Sequence, residues 1–199
     1  FQLITTGKIS QKKLLFENQH LERLQKASRY FTFPFDPEVL KQKIENECQS
    51  CDFHQDYRLR ISLSKSGAIE IERQVLTPLS PNFCQAKLCL QEADLQQAFT
   101  YFKTTHRPHL TIGNQEIIYH TADGKLLETS IGNLVLKMDG KLYTPPSQLG
   151  LLPGIYRQHL LESGQVEEKV LTVEDLKQAE VIYACNAVRG LYELSVREN

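Results

Sequence analysis

The chain has no long apolar run, no excess of charge of either sign and few cysteines for its length. Each absence removes a class of function. No stretch approaches the roughly 20 apolar residues of a membrane-spanning helix. A formal net charge of −1 provides no positive field for nucleic acid or an anionic membrane, so neither is expected as a partner. Five cysteines, odd in number and sparse, are unlike the dense, even set of a secreted disulfide framework and predict reduced thiols. Cys48-Gln-Ser-Cys51 has the spacing of a redox pair or half a zinc site. No second Cys or His pair stands at finger distance, however, and the preceding residues read as helix rather than as the strand of a βαβ unit. No metal is expected, and Cys84, Cys89 and Cys185 read as small buried hydrophobes. The first residues, Phe1-Gln-Leu-Ile-Thr-Thr-Gly-Lys, have no basic region, long apolar core or initiator methionine. That start reads as processed or trimmed rather than as a signal peptide, and a cytoplasmic location is the simplest expectation. Internal repeats and low-complexity tracts are also missing.

At 199 residues and 41% hydrophobic, the chain is long enough for a sizeable core and falls between one large domain and two small ones. Phe1–Ile9 and Lys12–Leu15 read as extended, and Asn18–Phe31 as a helix with one apolar face. Asp36 and Pro37 suit the cap and first position of a helix over Glu38–Cys48. Tyr57–Leu63, Ile69–Leu76 and Gln85–Leu90 read as strands, and residues 91–106 as a connection between two lobes. Glu116–His120 and Leu126–Thr129 flank Asp123-Gly124, which predicts a hairpin; Leu134–Lys137 and Leu142–Thr144 flank a second Asp-Gly turn. Pro153–Ser163, followed by Gly164, and Val173–Ala179, preceded by Thr172, read as helices. Ile182–Cys185 and Leu191–Val196 read as final strands. Periodicity by itself supports a mixed α and β fold.

Three segments between Phe102 and Tyr156 carry chemistry: Lys103-Thr-Thr-His-Arg107, Glu128-Thr-Ser-Ile-Gly-Asn133, and Thr144-Pro-Pro followed by Gly150-Leu-Leu-Pro-Gly-Ile-Tyr-Arg157. An amine, a carboxylate and a turn into a helix start meet three needs of an aldehyde cofactor with a ring nitrogen and a phosphate. Taken singly, Lys103 is an exposed charge, Glu128 a strand glutamate and Pro153-Gly154 a common helix start. A helix start also presents backbone N–H groups and a positive dipole end to an anion.

In this order and spacing the segments resemble the class IV aminotransferase superfamily, the fold type IV pyridoxal-phosphate enzymes. Phe1-Gln-Leu, His20-Leu-Glu-Arg-Leu24, Tyr30-Phe, Phe33-Pro-Phe-Asp36 and Asn186-Ala-Val-Arg-Gly190 extend the likeness to the lyase-like domain of bifunctional aminodeoxychorismate synthase/lyase chains. The resemblance implies two α/β lobes: a smaller α+β lobe over 1–98 and a larger lobe over 99–199 with a mixed, barrel-like sheet. It also implies a cofactor between the lobes, a homodimer, and relatives with a further hairpin upstream. It places Lys103 on the lysine that bonds pyridoxal 5'-phosphate and later moves the proton, and Glu128 on the carboxylate at the ring nitrogen, with Asn133 orienting it. Arg23 and the amides of Ile155 and Tyr156, entered through Gly154, fall on phosphate contacts, and Leu152 on the ring face. Thr6, Arg107 and Arg189 are implied near a small-molecule substrate.

Two positions depart from the pattern. Leu110 stands where many members have a tyrosine for the cofactor phenolate, and Ala187 where they have Ser or Thr for the phosphate, which removes about 1 kcal/mol of hydrogen bonding. Tyr156 also replaces a smaller residue. The leading expectation is a lyase that takes 4-amino-4-deoxychorismate to 4-aminobenzoate and pyruvate. Amino transfer by a branched-chain or D-amino-acid type of enzyme is the alternative, and a degenerate, non-catalytic domain is the third reading.

Overall fold

The computed structural model describes residues 1–91, 98–111 and 113–197. The chain forms two compact units, Phe1–Pro78 with Phe102–His106, and Leu79–Tyr101 with Arg107–Asn199. The first crossover between these units lies at 78/79, and Lys103 belongs to the first unit. The reason is strand pairing. The strand at Gln85–Leu90 is hydrogen-bonded into the second sheet, whereas Thr104 forms an antiparallel bridge to Leu3.

In the first unit, β1 (Leu3–Ser10), β2 (Lys13–Leu14), β3 (Tyr57–Leu63) and β4 (Ile69–Val75) form an antiparallel sheet in the order β2-β1-β3-β4. Its register runs from Leu3 opposite Leu63 to Ile9 opposite Tyr57. Helix α1 (Glu17–Phe31) buries His20, Leu21, Leu24, Ala27 and Ser28, a spacing that puts all five on one face. Helix α2 (Pro37–Gln49) starts where Asp36 accepts from Glu38 N at 2.9 Å and Val39 N at 3.4 Å, with Pro37 at its first position. Leu40, Ile44 and Cys48 pack on the core, and each fully buried aliphatic side chain contributes about 1.5–3 kcal/mol. Cys48 and Cys51 are both buried free thiols here, and no metal-holding cluster of His, Cys, Asp or Glu occurs among the described residues.

The second unit contains β5 (Gln85–Leu90), α3 (Ala98–Tyr101), β6 (Glu116–His120), β7 (Leu126–Thr129), β8 (Asn133–Met138) and β9 (Lys141–Thr144). It continues with α4 (Ile155–Glu162), β10 (Glu167–Glu168), α5 (Val173–Gln178), β11 (Val181–Asn186) and β12 (Gly190–Val196). Part of the stretch read as a connection, residues 92–97, lies outside the described residues. The sheet runs β10-β9-β8-β11-β12-β5-β6-β7, and a further pairing of β7 with β8 closes six of its strands into a barrel. Pairing is mixed, parallel at β12–β5, β5–β6 and β9–β10, and antiparallel elsewhere. Alternate residues fill the interior, among them Ile118, Leu134, Leu136, Ala184 and Leu194. Val135 and Cys185 face the other way onto Leu160 of α4.

Two local expectations are corrected. Helix α4 begins at Ile155 rather than Pro153, because Gly154 takes the capping position with extended backbone. Cys89 is exposed because β5 presents its face to solvent, and Cys84, at the end of the 3-10 turn before β5, is half-buried; of the three thiols read as core, only Cys185 is buried. The two-residue strand β10 and the short 3-10 turns at Pro81–Cys84 and Ser147–Leu149 carry no periodicity to read.

Candidate active site

In the first unit, Lys103 sits on a short extended segment stitched to the start of β1. Ile4 N donates to Lys103 O at 2.9 Å, and Thr105 N donates to Gln2 O at 2.9 Å. Gln2 N donates in turn to Thr105 Oγ1 at 2.9 Å. Thr104 Oγ1 donates to His106 O at 2.8 Å and closes the turn that follows. The lysine is half-buried and its main chain is fixed, a suitable base for a reactive amine. Arg23 projects half-buried from α1, and Thr6 is buried on β1.

Sequence reasoning assigned no role to His20, three residues before Arg23, or to Thr5. His20 is fully buried, its Nδ1 shares a 2.6 Å hydrogen bond with Thr5 Oγ1, and its Nε2 has no hydrogen bond within the described structure. Burial, then the positive charges of Arg23 and Lys103, pull its pKa from 6.5 down to about 3. Both cations therefore lie close enough to His20 to keep it neutral. The readable signal was its place on the buried stripe of α1, one turn before Arg23.

In the second unit, Glu128 stands on β7, 3% exposed, and its cross-strand partner is Asn133, which opens β8 and is 4% exposed. These two side chains latch the backbone of one residue. Leu152 N donates to Glu128 Oε1 at 3.3 Å, and Asn133 Nδ2 donates to Leu152 O at 2.8 Å. Asn133 thus orients the Leu152 loop, which in turn reaches Glu128. Two residues on, Gly154 caps α4 with no side-chain bond of its own. A Cβ there would sit 2.0 Å from Asn133 Oδ1, so any side chain would displace the Asn133 amide from its bond to Leu152 O. Ile155 and Tyr156 are the first residues of the helix. A Cβ at Gly190 would meet the Tyr156 hydroxyl at 3.3 Å, which sets the α4 start beside the turn holding Ala187 and Arg189. In that turn Asn186 Oδ1 accepts from Val188 N at 3.0 Å and Arg189 N at 2.9 Å.

Arg107 lies 3.5 Å from Glu128 through Nη2, with side chains 11% and 4% exposed. Its Nε and Nη2 make no hydrogen bond within the described structure. A buried carboxylate is costly unless paired, and the guanidinium offsets that cost. Arg107, Glu128, Asn133, Leu152 and Gly154 are therefore brought together, with Ile155 and Tyr156 following and Ala187 and Arg189 reached through Gly190. Lys103, Arg23 and Thr6 belong to the first unit. A buried acid and an uncapped helix start, whose glycine is enforced by a neighbouring amide, fit pyridoxal phosphate.

Comparison with known proteins supports this fit. A family model described as Amino-transferase class IV matches residues 2–195. A solved structure from Mesorhizobium loti, assigned as an amino-acid aminotransferase, superposes with a TM-score of 0.87 at 26% identity, covering 98% of this chain and 99% of that one. A Haemophilus somnus structure assigned as a 4-amino-4-deoxychorismate lyase has the same fold, with a TM-score of 0.75 at 23% identity over 96% and 97% of the two chains. An assigned aminodeoxychorismate lyase of Schizosaccharomyces pombe is 31% identical over 78 residues, 38% of this chain and 34% of its own length. The match thus spans about a third of that relative's length, and no helix among the described residues is long and apolar enough to cross a membrane. Because the family model covers nearly the whole chain, the protein belongs to the class IV aminotransferase family of pyridoxal-phosphate enzymes.

Proposed function

We propose that the chain is a lyase that converts 4-amino-4-deoxychorismate to 4-aminobenzoate and pyruvate, and so supplies a folate precursor. The observation that carries it is the buried Glu128 carboxylate, held by Leu152 N at the head of α4 and backed by Arg107. The match to the S. pombe lyase supports the reaction class, as do the segments Phe33-Pro-Phe-Asp36 and Asn186-Ala-Val-Arg-Gly190. Pyridoxal phosphate, when bound, supplies an electrophilic aldehyde and a ring that accepts electrons. Lys103 Nζ would be the amine that holds it and the base that moves the substrate proton. Glu128 keeps a proton on the ring nitrogen, and the amides of Ile155 and Tyr156, with Arg23, hold the phosphate. Leu152 excludes water from the ring face, and Thr6 and Arg189 face the substrate. The reading includes a cytoplasmic homodimer that acts on a small molecule.

Amino transfer is the second reading, favoured by the whole-length likeness to the M. loti protein. The deciding experiment is the visible spectrum of the purified protein with added pyridoxal phosphate, before and after borohydride, beside Lys103→Ala. The expected result is a band lost on reduction, with the label on residue 103. Turnover of aminodeoxychorismate, against alanine or branched-chain donors with 2-oxoglutarate, then separates the two reactions. No band, or a label elsewhere, sinks both.

A further inference from the structure

Glu116 is a fully buried carboxylate that none of the roles above uses. It opens β6 two residues before Ile118, and so lies on the face that fills the barrel. Its Oε1 accepts from Ser130 Oγ at 2.5 Å and from Ile131 N at 3.3 Å, and its Oε2 accepts from Tyr192 OH at 3.2 Å. Burial pushes its carboxyl above the usual carboxylate range, and the bonds from Ser130 and Tyr192 pull it back. Apolar side chains of similar volume commonly replace buried charged groups without loss of stability, so core filling alone does not explain an acid here.

Two of the three donors belong to the turn between β7 and β8. Glu128 and Asn133 are the cross-strand pair at the base of that turn. Its other supports come from β6 and β11. On β6, Ser130 N donates to Ile117 O at 3.0 Å and Ser130 Oγ accepts from Ile117 N at 3.3 Å. Asn186 Nδ2 donates to Ile131 O at 3.2 Å, and a Cβ at Gly132 would lie 2.6 Å from Cys185 O. Within the turn, Thr129 N and Oγ1 both donate to Gly132 O, at 2.9 and 3.1 Å. Glu116, beside the Ile117 backbone, therefore grips one side of the turn while β11 limits the other.

We propose that Glu116 is a positioning residue: by holding Ser130 and Ile131 it sets the spacing of Glu128 and Asn133, and through them the Leu152 peptide at the head of α4. The inference rests on the reading of Glu128 as the cofactor's carboxylate, but its first readout needs no cofactor.

The test compares Glu116→Leu, which removes the acceptor at similar volume, with Glu116→Gln, which keeps an acceptor for Ser130 and Ile131. Amide hydrogen exchange of the cofactor-free protein is expected to rise about tenfold at residues 129–133 in the leucine variant, with β11 and β12 unchanged. The glutamine variant is expected to match the parent. Pyridoxal-phosphate titration is expected to show a Kd about tenfold weaker for leucine and close to the parent for glutamine. Unchanged exchange in the turn, a rise spread evenly over the second unit, or a loosened turn with unchanged Kd each overturns the proposal. Equal damage by glutamine, with the fold intact, also overturns it. If the leucine variant does not fold, Ser130→Ala removes one donor and is read the same way. A parent protein with no borohydride-sensitive band defeats the proposed function, while the exchange data still decide whether Glu116 holds the turn.

Discussion

His20 provides a direct test of how the first unit holds its cations. The folded chain keeps the ring neutral to about pH 3, whereas an unfolded chain takes up the proton near 6.5. Below pH 6.5 the unfolded state binds more protons than the folded one, so stability falls as the pH falls, and this group's loss ends near the folded value of about 3. The cost is about 1.4 kcal/mol per pH unit, or about 2 kcal/mol at pH 5 and about 3 kcal/mol at pH 4 relative to neutral. Urea unfolding of the parent and of His20→Gln, followed by circular dichroism from pH 7 to pH 4, isolates this contribution. The variant loses the Thr5 bond, a pH-independent cost of about 1 kcal/mol. It also loses the proton uptake. The parent should be the more stable at pH 7 and the less stable at pH 4. Carboxyls held low by their partners, such as Asp56 beside Lys8, titrate alike in both proteins and cancel in the difference. Parallel stability curves over the whole range would refute the reasoning, because they would mean that the folded state admits a charged His20 beside Arg23 and Lys103.

Arg157, 2% exposed, donates through Nη2 to Pro145 O at 2.8 Å and Glu168 Oε1 at 2.5 Å, so Arg157→Met should lose about 2 kcal/mol in denaturant unfolding; a loss under half of that would count against it. Thr172 and Asp175 form a reciprocal capping box at α5, and Thr172→Ala should lose about 1 kcal/mol by the same measurement, with no loss as the contrary result. Native-state thiol labelling followed by peptide mapping should find Cys89 first. Cys48, Cys51 and Cys185 should react only on unfolding, since burial pushes the Cys185 thiol up to about 12; early labelling at Cys185 would contradict the packing of β11.

Local chemistry made most elements readable. Alternation over Tyr57–Leu63 and the Asp-Gly turns at 123–124 and 139–140 bound strands closely, since a strand's two-residue period and a turn's backbone demands are properties of adjacent residues. Closure of the barrel was not of that kind. It depends on β7 meeting β8 and on β5 entering between β6 and β12, pairings between segments far apart in the chain. The same limit governs the site. Lys103, Glu128 and the Pro153-Gly154 turn could be proposed from the sequence because each stands in a short segment of recognisable order. Glu116 reads as an ordinary strand-end acid, because Ser130 and Tyr192, 14 and 76 residues away, meet it only after the barrel closes. His20 was hidden for another reason: its helical position reads as core, and its effect depends on two cations brought near by packing.

The departures at Leu110 and Ala187 remove polar contacts without loosening the frame around them. Leu110 packs with Tyr119 and Leu127, and the Tyr119 phenol does not stand in for the missing tyrosine. Its oxygen accepts from Thr111 N at 2.7 Å and donates to Thr111 O at 3.3 Å, and burial pushes its pKa upward. At residue 187 the turn is held from Asn186, whose Oδ1 accepts from the amides of Val188 and Arg189, so its shape does not depend on the side chain at 187. A serine there should therefore enter an unchanged backbone. On the proposed placement of the phosphate at the α4 start, Ala187→Ser should add one charge-assisted hydrogen bond and lower the pyridoxal-phosphate Kd about fivefold to tenfold, with thermal stability of the cofactor-free protein unchanged. Titration followed at the visible band measures the first, and a melt without cofactor the second. An unchanged Kd in a variant that melts like the parent would place the phosphate away from the 186–190 turn.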